Sequence, residues 1–169
     1  NDRKDTGEEA PEYCEVTEFA SSGPEALGYC ANTRGNAYGD LGNGWIFSAH
    51  GSPALHDVFA LDDQIAWAVG QNGTVRYTTD GGRNWPSAIV SIHNISPTLS
   101  AVYFSDKMNG WAVGNGGVIV RSTDGGRTWR EQYLPPGMTS SSVDLYDLTF
   151  ADGNNGWIVG KDGVILHTT

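Results

Sequence analysis

The chain has 169 residues, enough for one domain with a core of its own, and a formal net charge of −10 from 10 basic and 20 acidic side chains. That balance argues against binding a phosphate backbone, which needs clustered Lys and Arg, so nucleic acid is not an expected partner. No stretch approaches the ~18 consecutive apolar residues of a membrane-spanning helix, and 23 glycines with six tryptophans suit a turn-rich β fold.

Residues 1–12, NDRKDTGEEAPE, are polar and charged and read as a flexible acidic lead-in. They hold no apolar signal-peptide core and no initiator Met, so the chain is expected either to start after a removed targeting segment or to be an excised piece. Residues 13–50 read as an irregular first repeat unit. Cys14 and Cys30 stand on its first two candidate strands. A bridge between them would close a loop of about 15 residues and add roughly 3 kcal/mol in the chain-entropy account, and it would require an oxidising compartment. The other reading is two buried thiols. Asp40-Leu-Gly-Asn-Gly-Trp45 then forms an acidic turn ending in an indole, with Ile46–His50 as the strand after it. A glycine-rich loop that happens to contain Trp45 is the alternative.

From residue 51 the sequence repeats. AWAVGQNGTVRYTTDGGRNW ends at Trp85, GWAVGNGGVIVRSTDGGRTW ends at Trp129, and GWIVGKDGVILHTT ends at Thr169. Trp67, Trp111 and Trp157 follow one another at spacings of 44 and 46 residues. A period of roughly 40–50 residues made of short strands is the mark of propeller blades. The units are 51–96, 97–142 and 143–169, the last one incomplete. Each opens with an inner apolar strand (Leu55–Leu61, Leu99–Ser105, Leu145–Phe150) and continues with a second (Ile65–Gly70, Gly110–Gly114, Gly156–Gly160). The turns Gln71-Asn-Gly73, Asn115-Gly-Gly117 and Lys161-Asp-Gly163 follow, because Asn, Asp and Gly tolerate positive φ. A third strand comes next, and a fourth is expected near Ser87–His93 and Arg130–Leu134.

Between the third and fourth strands, Thr78-Thr-Asp-Gly-Gly-Arg-Asn-Trp85 and Ser122-Thr-Asp-Gly-Gly-Arg-Thr-Trp129 both match the Asp-box pattern. The residue types explain the pattern. Asp80 and Asp124 can accept hydrogen bonds from N–H groups of their own turn. Gly82 and Gly126 reach backbone angles closed to other residues. Trp85 and Trp129 can fold under the turn as large apolar anchors. The expected role of all six is structural, and Asp40 and Trp45 are read as the degenerate counterpart. The expected fold is therefore all-β: a β-propeller of four-stranded antiparallel blades, with about three to four blades present. Since rings close with roughly 4–8 blades, the remaining blades are expected from a longer chain or from other subunits.

The run Gly-Trp-Ala-Val-Gly…Gly-Val-Ile-x-x-Thr-Asp-Gly-Gly-x-Thr-Trp resembles the photosystem II assembly and stability factor family, over Leu55 to Thr169. The resemblance implies a lumenal or periplasmic scaffold that binds unassembled membrane-protein subunits and uses a basic surface patch. Here the repeat-borne arginines are Arg76, Arg83, Arg121, Arg127 and Arg130, and Arg83 and Arg127 share one box position on successive units.

Asp-boxes also occur in sialidases, endo-acting glucanases and sorting-receptor propellers, so glycan hydrolysis is the competing class. A sialidase-like site needs an arginine triad on a carboxylate, and the arginines here sit on turns and third strands. A glucanase-like site needs paired carboxylates, for which Asp57 and Asp147 at the starts of inner strands are the candidates, with Ala101 in register between them. Acidic residues there more commonly accept hydrogen bonds from turns. The four histidines lack metal-ligand spacing, and no cofactor motif is present. The sequence reading is thus a non-catalytic protein-binding propeller without cofactor or metal in the periplasm, thylakoid lumen or secreted space. Its partner would be a protein such as a membrane-protein subunit or complex. Loops on a rigid scaffold carry contacts, so Tyr133, Leu134 and Met138, with Arg83 and Arg127, are the binding candidates.

Overall fold

The computed structural model describes residues 29–31, 37–40, 45–49, 53–92, 96–136, 138 and 143–168, with side chains from residue 53 onward. Among these residues every regular element is a strand or a single 3-10 turn, and no helix is long and apolar enough to cross a membrane. The strands are β1 Tyr29–Ala31, β2 Ala37–Asp40, β3 Trp45–Ala49, β4 Leu55–Ala60, β5 Ala66–Gly70, β6 Val75–Thr78 and β7 Ile89–Ser91. They continue as β8 Leu99–Phe104, β9 Gly110–Gly114, β10 Ile119–Ser122, β11 Thr128–Gln132, β12 Leu145–Phe150, β13 Gly156–Gly160 and β14 Ile165–Thr168. They form four sheets, β1-β2-β3, β4-β5-β6, β7-β11-β10-β9-β8 and β12-β13-β14. The first strands β4, β8 and β12 lie side by side, and β1 lies against β4. This is a β-propeller with an open ring.

Each sheet alternates because strand residues point to opposite faces. In β5, Ala66 and Ala68 join Leu55, Val58 and Trp85 on one face, while Trp67 and Val69 join Leu99, Phe104 and Trp129 on the other. A third cluster, with Leu145, Leu148 and Phe150, lies between the β8 and β12 sheets. The apolar core is therefore cut into slabs between sheets, which ties each blade's stability to its neighbour. Close approach explains Gly110, where an added Cβ would strike the Phe104 ring. The second-to-third strand turns take left-handed backbone at Asn72, Gly116 and Asp162, with φ of 57°, 65° and 57°. This is the conformation that the Asn-Gly, Gly-Gly and Asp-Gly pairs favour.

The expected fourth strand of the second unit departs from the simple pattern. Ser87 bridges Arg76 antiparallel, and the Ala88 N–H donates to the Val75 carbonyl at 2.9 Å. The chain then leaves its own sheet, and β7 pairs in parallel with Thr128–Arg130 of the next. The cause is Pro86. In the following unit the equivalent residue is Arg130, paired with Arg121 in the β10–β11 ladder. Pro86 accepts from the Tyr77 N–H at 3.2 Å but has no N–H to return, so this ladder is one hydrogen bond short of its counterpart. His93 and Cys14 lie outside the described residues, as do the side chains of Cys30, Asp40 and Trp45. Backbone register places Asp40 opposite Trp45 across β2 and β3.

Candidate functional site

The two acidic corners are built alike. The Thr78 and Ser122 hydroxyls each donate to the Oδ1 of Asp80 and Asp124 at 2.8 Å. The same hydroxyls accept from the N–H of Gly82 and Gly126 at 2.9 Å. Asp80 Oδ1 accepts the Asn84 N–H at 3.0 Å and Oδ2 its amide at 2.6 Å. Asp124 Oδ1 accepts the Thr128 N–H at 2.9 Å and Oδ2 its hydroxyl at 2.6 Å. The indole N–H groups of Trp85 and Trp129 donate back to the Gly82 and Gly126 carbonyls at 3.1 and 2.9 Å. Arg83 and Arg127, both exposed, each donate to the carbonyl of their own corner aspartate. All four carboxylate oxygens are thus engaged within their own turns.

A second acidic turn recurs on the opposite hairpin and escaped the sequence reading. Asp62, Asp106 and Asp152 each accept two backbone N–H groups two and three residues ahead, at 2.7 to 2.9 Å. Their spacing equals that of the tryptophans, which was the available signal. Lys107 also lies 3.4 Å from the Asp62 carboxylate, linking two neighbouring blades.

Hydrogen bonds hold these carboxyls below the ordinary value of 3.8. The Asn84 side chain leads at Asp80, the Asn109 side chain at Asp106 and the Asn155 N–H at Asp152. At Asp62 and Asp124 burial pushes upward, and the N–H and side-chain donors together outweigh it. A carboxyl whose folded pKa lies below its unfolded one stabilises the fold above the unfolded value and loses that contribution as pH falls through the folded one. The thermal midpoint is therefore expected to stay level from pH 7 to about 5 and to fall steadily below about pH 4. Melting by circular dichroism across that range checks it, and a midpoint unchanged down to pH 2 would contradict it.

The corners also reach across the sheets. The Trp67 indole stacks on Phe104 with centroids 3.4 Å apart and planes 7° from parallel. Its N–H donates to the carbonyl of Gly125, in the next unit's corner, at 3.0 Å. Gly126 has φ 81°, and a Cβ there would strike the Trp67 indole. Trp129 meets Phe104 edge-on at 5.6 Å, and Arg127 lies over the Tyr77 ring at 6.0 Å. One unit on, Trp111 stacks on Phe150 at 4.2 Å, and Arg121 lies over its ring at 5.1 Å.

Asp57 is buried. Its Oδ1 accepts the Val58 N–H at 2.8 Å and its Oδ2 the Val102 N–H, on the neighbouring inner strand, at 2.7 Å. Asp147 is exposed, and its Oδ1 accepts the Leu148 N–H at 2.7 Å. Strand β8, with Ala101, separates the two. The geometry makes Asp57 a tie between blades and does not pair it with Asp147.

Of the loop candidates, Tyr133 is 90% exposed. Leu134 and Met138 are half-buried against the cluster of Ala101, Ile119 and Leu145. Beside them a cavity of about 240 Å³ opens between the β8–β11 and β12–β14 strands, lined by Trp111, Ile119, Tyr133, Phe150, Ile158 and Leu166 among others. The outer face of the last sheet exposes Trp157, Val159 and Ile165, whose counterparts Trp67, Val69 and Val75 are buried in the core.

Among solved structures, YCF48 from Cyanidioschyzon merolae is 20% identical with a TM-score of 0.69, over 90% of this chain and 50% of that one. YCF48 bound to D1 peptide is 19% identical with a TM-score of 0.60, over 89% and 42%. The computationally designed Ika4 protein is 18% identical with a TM-score of 0.66, over 90% and 89%. The chain thus spans half or less of the two YCF48 structures. No curated protein matches it. Residues 32–121 and 88–169 each match the family described as Photosynthesis system II assembly factor YCF48. These two matches together span most of the sequence, and the chain belongs to the photosystem II assembly factor YCF48 family.

Proposed function

We propose that this chain is part of a non-catalytic, assembly-factor-type propeller that holds a segment of a membrane-protein subunit in an extracytoplasmic space. The observation that carries this reading is the use of the acids. Asp57, Asp80 and Asp124 offer both carboxylate oxygens to donors of the fold itself, so they are spent as general acids, bases or nucleophiles. What the surface presents instead is an aromatic, Tyr133, beside an apolar cavity, and aromatic anchors next to pockets are the usual energetic centres of protein contacts. The family supports the class of partner, since one YCF48 structure was solved with a D1 peptide.

The test is an array of peptides from the extramembrane loops and tails of integral membrane proteins, the D1 peptide included. Saturable binding to at least one is expected, with Tyr133→Ala weakening it by about tenfold, or about 1.4 kcal/mol, at an unchanged melting temperature. Silence across the array, or full binding by the Tyr133→Ala protein, would count against the proposal.

A further inference from the structure

Among the described residues, asparagine stands directly before glycine four times, at Asn72, Asn109, Asn115 and Asn155. The pair has a chemistry of its own. With no side chain on the glycine, its backbone nitrogen can reach the asparagine side-chain carbonyl and close a five-membered imide. The fold occupies three of the four pairs. The Asn109 amide donates to both Asp106 oxygens at 3.2 and 2.9 Å, and the Asn155 amide to both Asp152 oxygens at 3.1 and 2.9 Å. The glycines after them, Gly110 and Gly156, are each paired with a strand on either side. Asn115 Oδ1 accepts the Thr98 N–H at 2.7 Å, and the Gly116 N–H donates to Asp144 Oδ1 at 3.1 Å. Asn72 is different. It is exposed in its turn, and its side chain makes no hydrogen bond among the described residues. The nitrogen that would attack it is restrained by one bond, from the Gly73 N–H to the Pro97 carbonyl at 2.6 Å.

We infer that Asn72 is a modification site, the place where this chain deamidates, with water as the co-reactant. The Gly73 nitrogen attacks Asn72 Cγ. That C–N bond forms, the Cγ–Nδ2 bond breaks, and ammonia leaves with the proton from Gly73. Water then opens the imide at one carbonyl or the other, giving aspartate or isoaspartate, with nothing oxidised or reduced. The bond to Pro97 must release first, so the reaction runs through local opening of this turn. The last unit already displays one product. Asp162-Gly163 stands in the place of Asn72-Gly73, with φ 57° and ψ 29° at Asp162 against 57° and 32° at Asn72, so aspartate fits the turn unchanged. Isoaspartate does not fit. It inserts a methylene into the main chain ahead of Gly73 and carries that N–H off the Pro97 carbonyl, cutting the tie between this turn and the segment that leads into β8. The inference does not depend on the membrane-subunit reading.

The test is to age the full chain in mildly alkaline buffer, with and without urea, and to follow each asparagine by peptide mapping and mass spectrometry. Isoaspartate is counted by its enzymatic methylation. In the folded chain Asn72 is expected to convert roughly tenfold faster than Asn109, Asn115 or Asn155, or more. In urea the four are expected to convert at similar rates, since each is followed by glycine and nothing holds any of them. Asn72→Asp is expected to melt together with the unmodified chain, while the purified isoaspartate form loses amide-exchange protection at Gly73. Another asparagine converting first in the folded chain, equal rates there, or the same ranking with urea as without would overturn the inference. So would an Asn72→Asp protein that melts several degrees lower, or a folded chain with Asn72 intact when all four have converted in urea.

Discussion

Trp129→Ala is expected to lower the unfolding free energy by about 3–5 kcal/mol, the range for deleting a fully buried large aromatic. Trp129 has no exposed surface. It contributes to the slab between the second and third sheets, meets Phe104 edge-on and returns its indole N–H to the Gly126 carbonyl. Truncation would leave a cavity against Phe104 and remove the donor that pins the corner, and Ser122 and Asp124 cannot fill that volume. Urea denaturation followed by circular dichroism reads the change as a lower midpoint at similar slope. A loss under 1 kcal/mol would mean that the corner indole is dispensable to the blade.

The second large effect separates two residues that the sequence presents as equals. Trp67→Ala is expected to cost about 3–5 kcal/mol, because Trp67 is 1% exposed, stacks on Phe104 and bonds to Gly125 of the next corner. Trp157, two units on in the same register, is 38% exposed and, among the described residues, stacks on His167 within its own sheet. Trp157→Ala is therefore expected to cost at most about 1 kcal/mol. Equal losses at the two positions, measured by the same urea titration, would show that Trp157 is covered in solution.

The contrast shows what a repeat sequence can reveal. Corners and hairpin turns were legible because their causes are local. Consecutive glycines at 81–82 and 125–126 take φ between 70° and 81°, and the aspartate and hydroxyl that serve them lie within a few residues. The carboxylates of Asp62, Asp106 and Asp152 were equally local and were passed over, although they recur at the same interval. The binding candidates were less legible. Tyr133, Leu134 and Met138 look alike in a loop, yet only Tyr133 stands clear, because the connection packs two of the three against Leu145 and its neighbours.

By itself, the sequence determined the all-β class, the period of the units and the places where the backbone turns, since each rests on φ preferences and short-range hydrogen bonds. Only the tertiary structure decided which sheet received Ile89–Ser91, why Asp57 is buried while Asp147 is exposed, and which equivalent tryptophan is covered. Those outcomes depend on the neighbouring sheet, whose contacts are made by residues about 45 positions away, beyond the reach of any local preference.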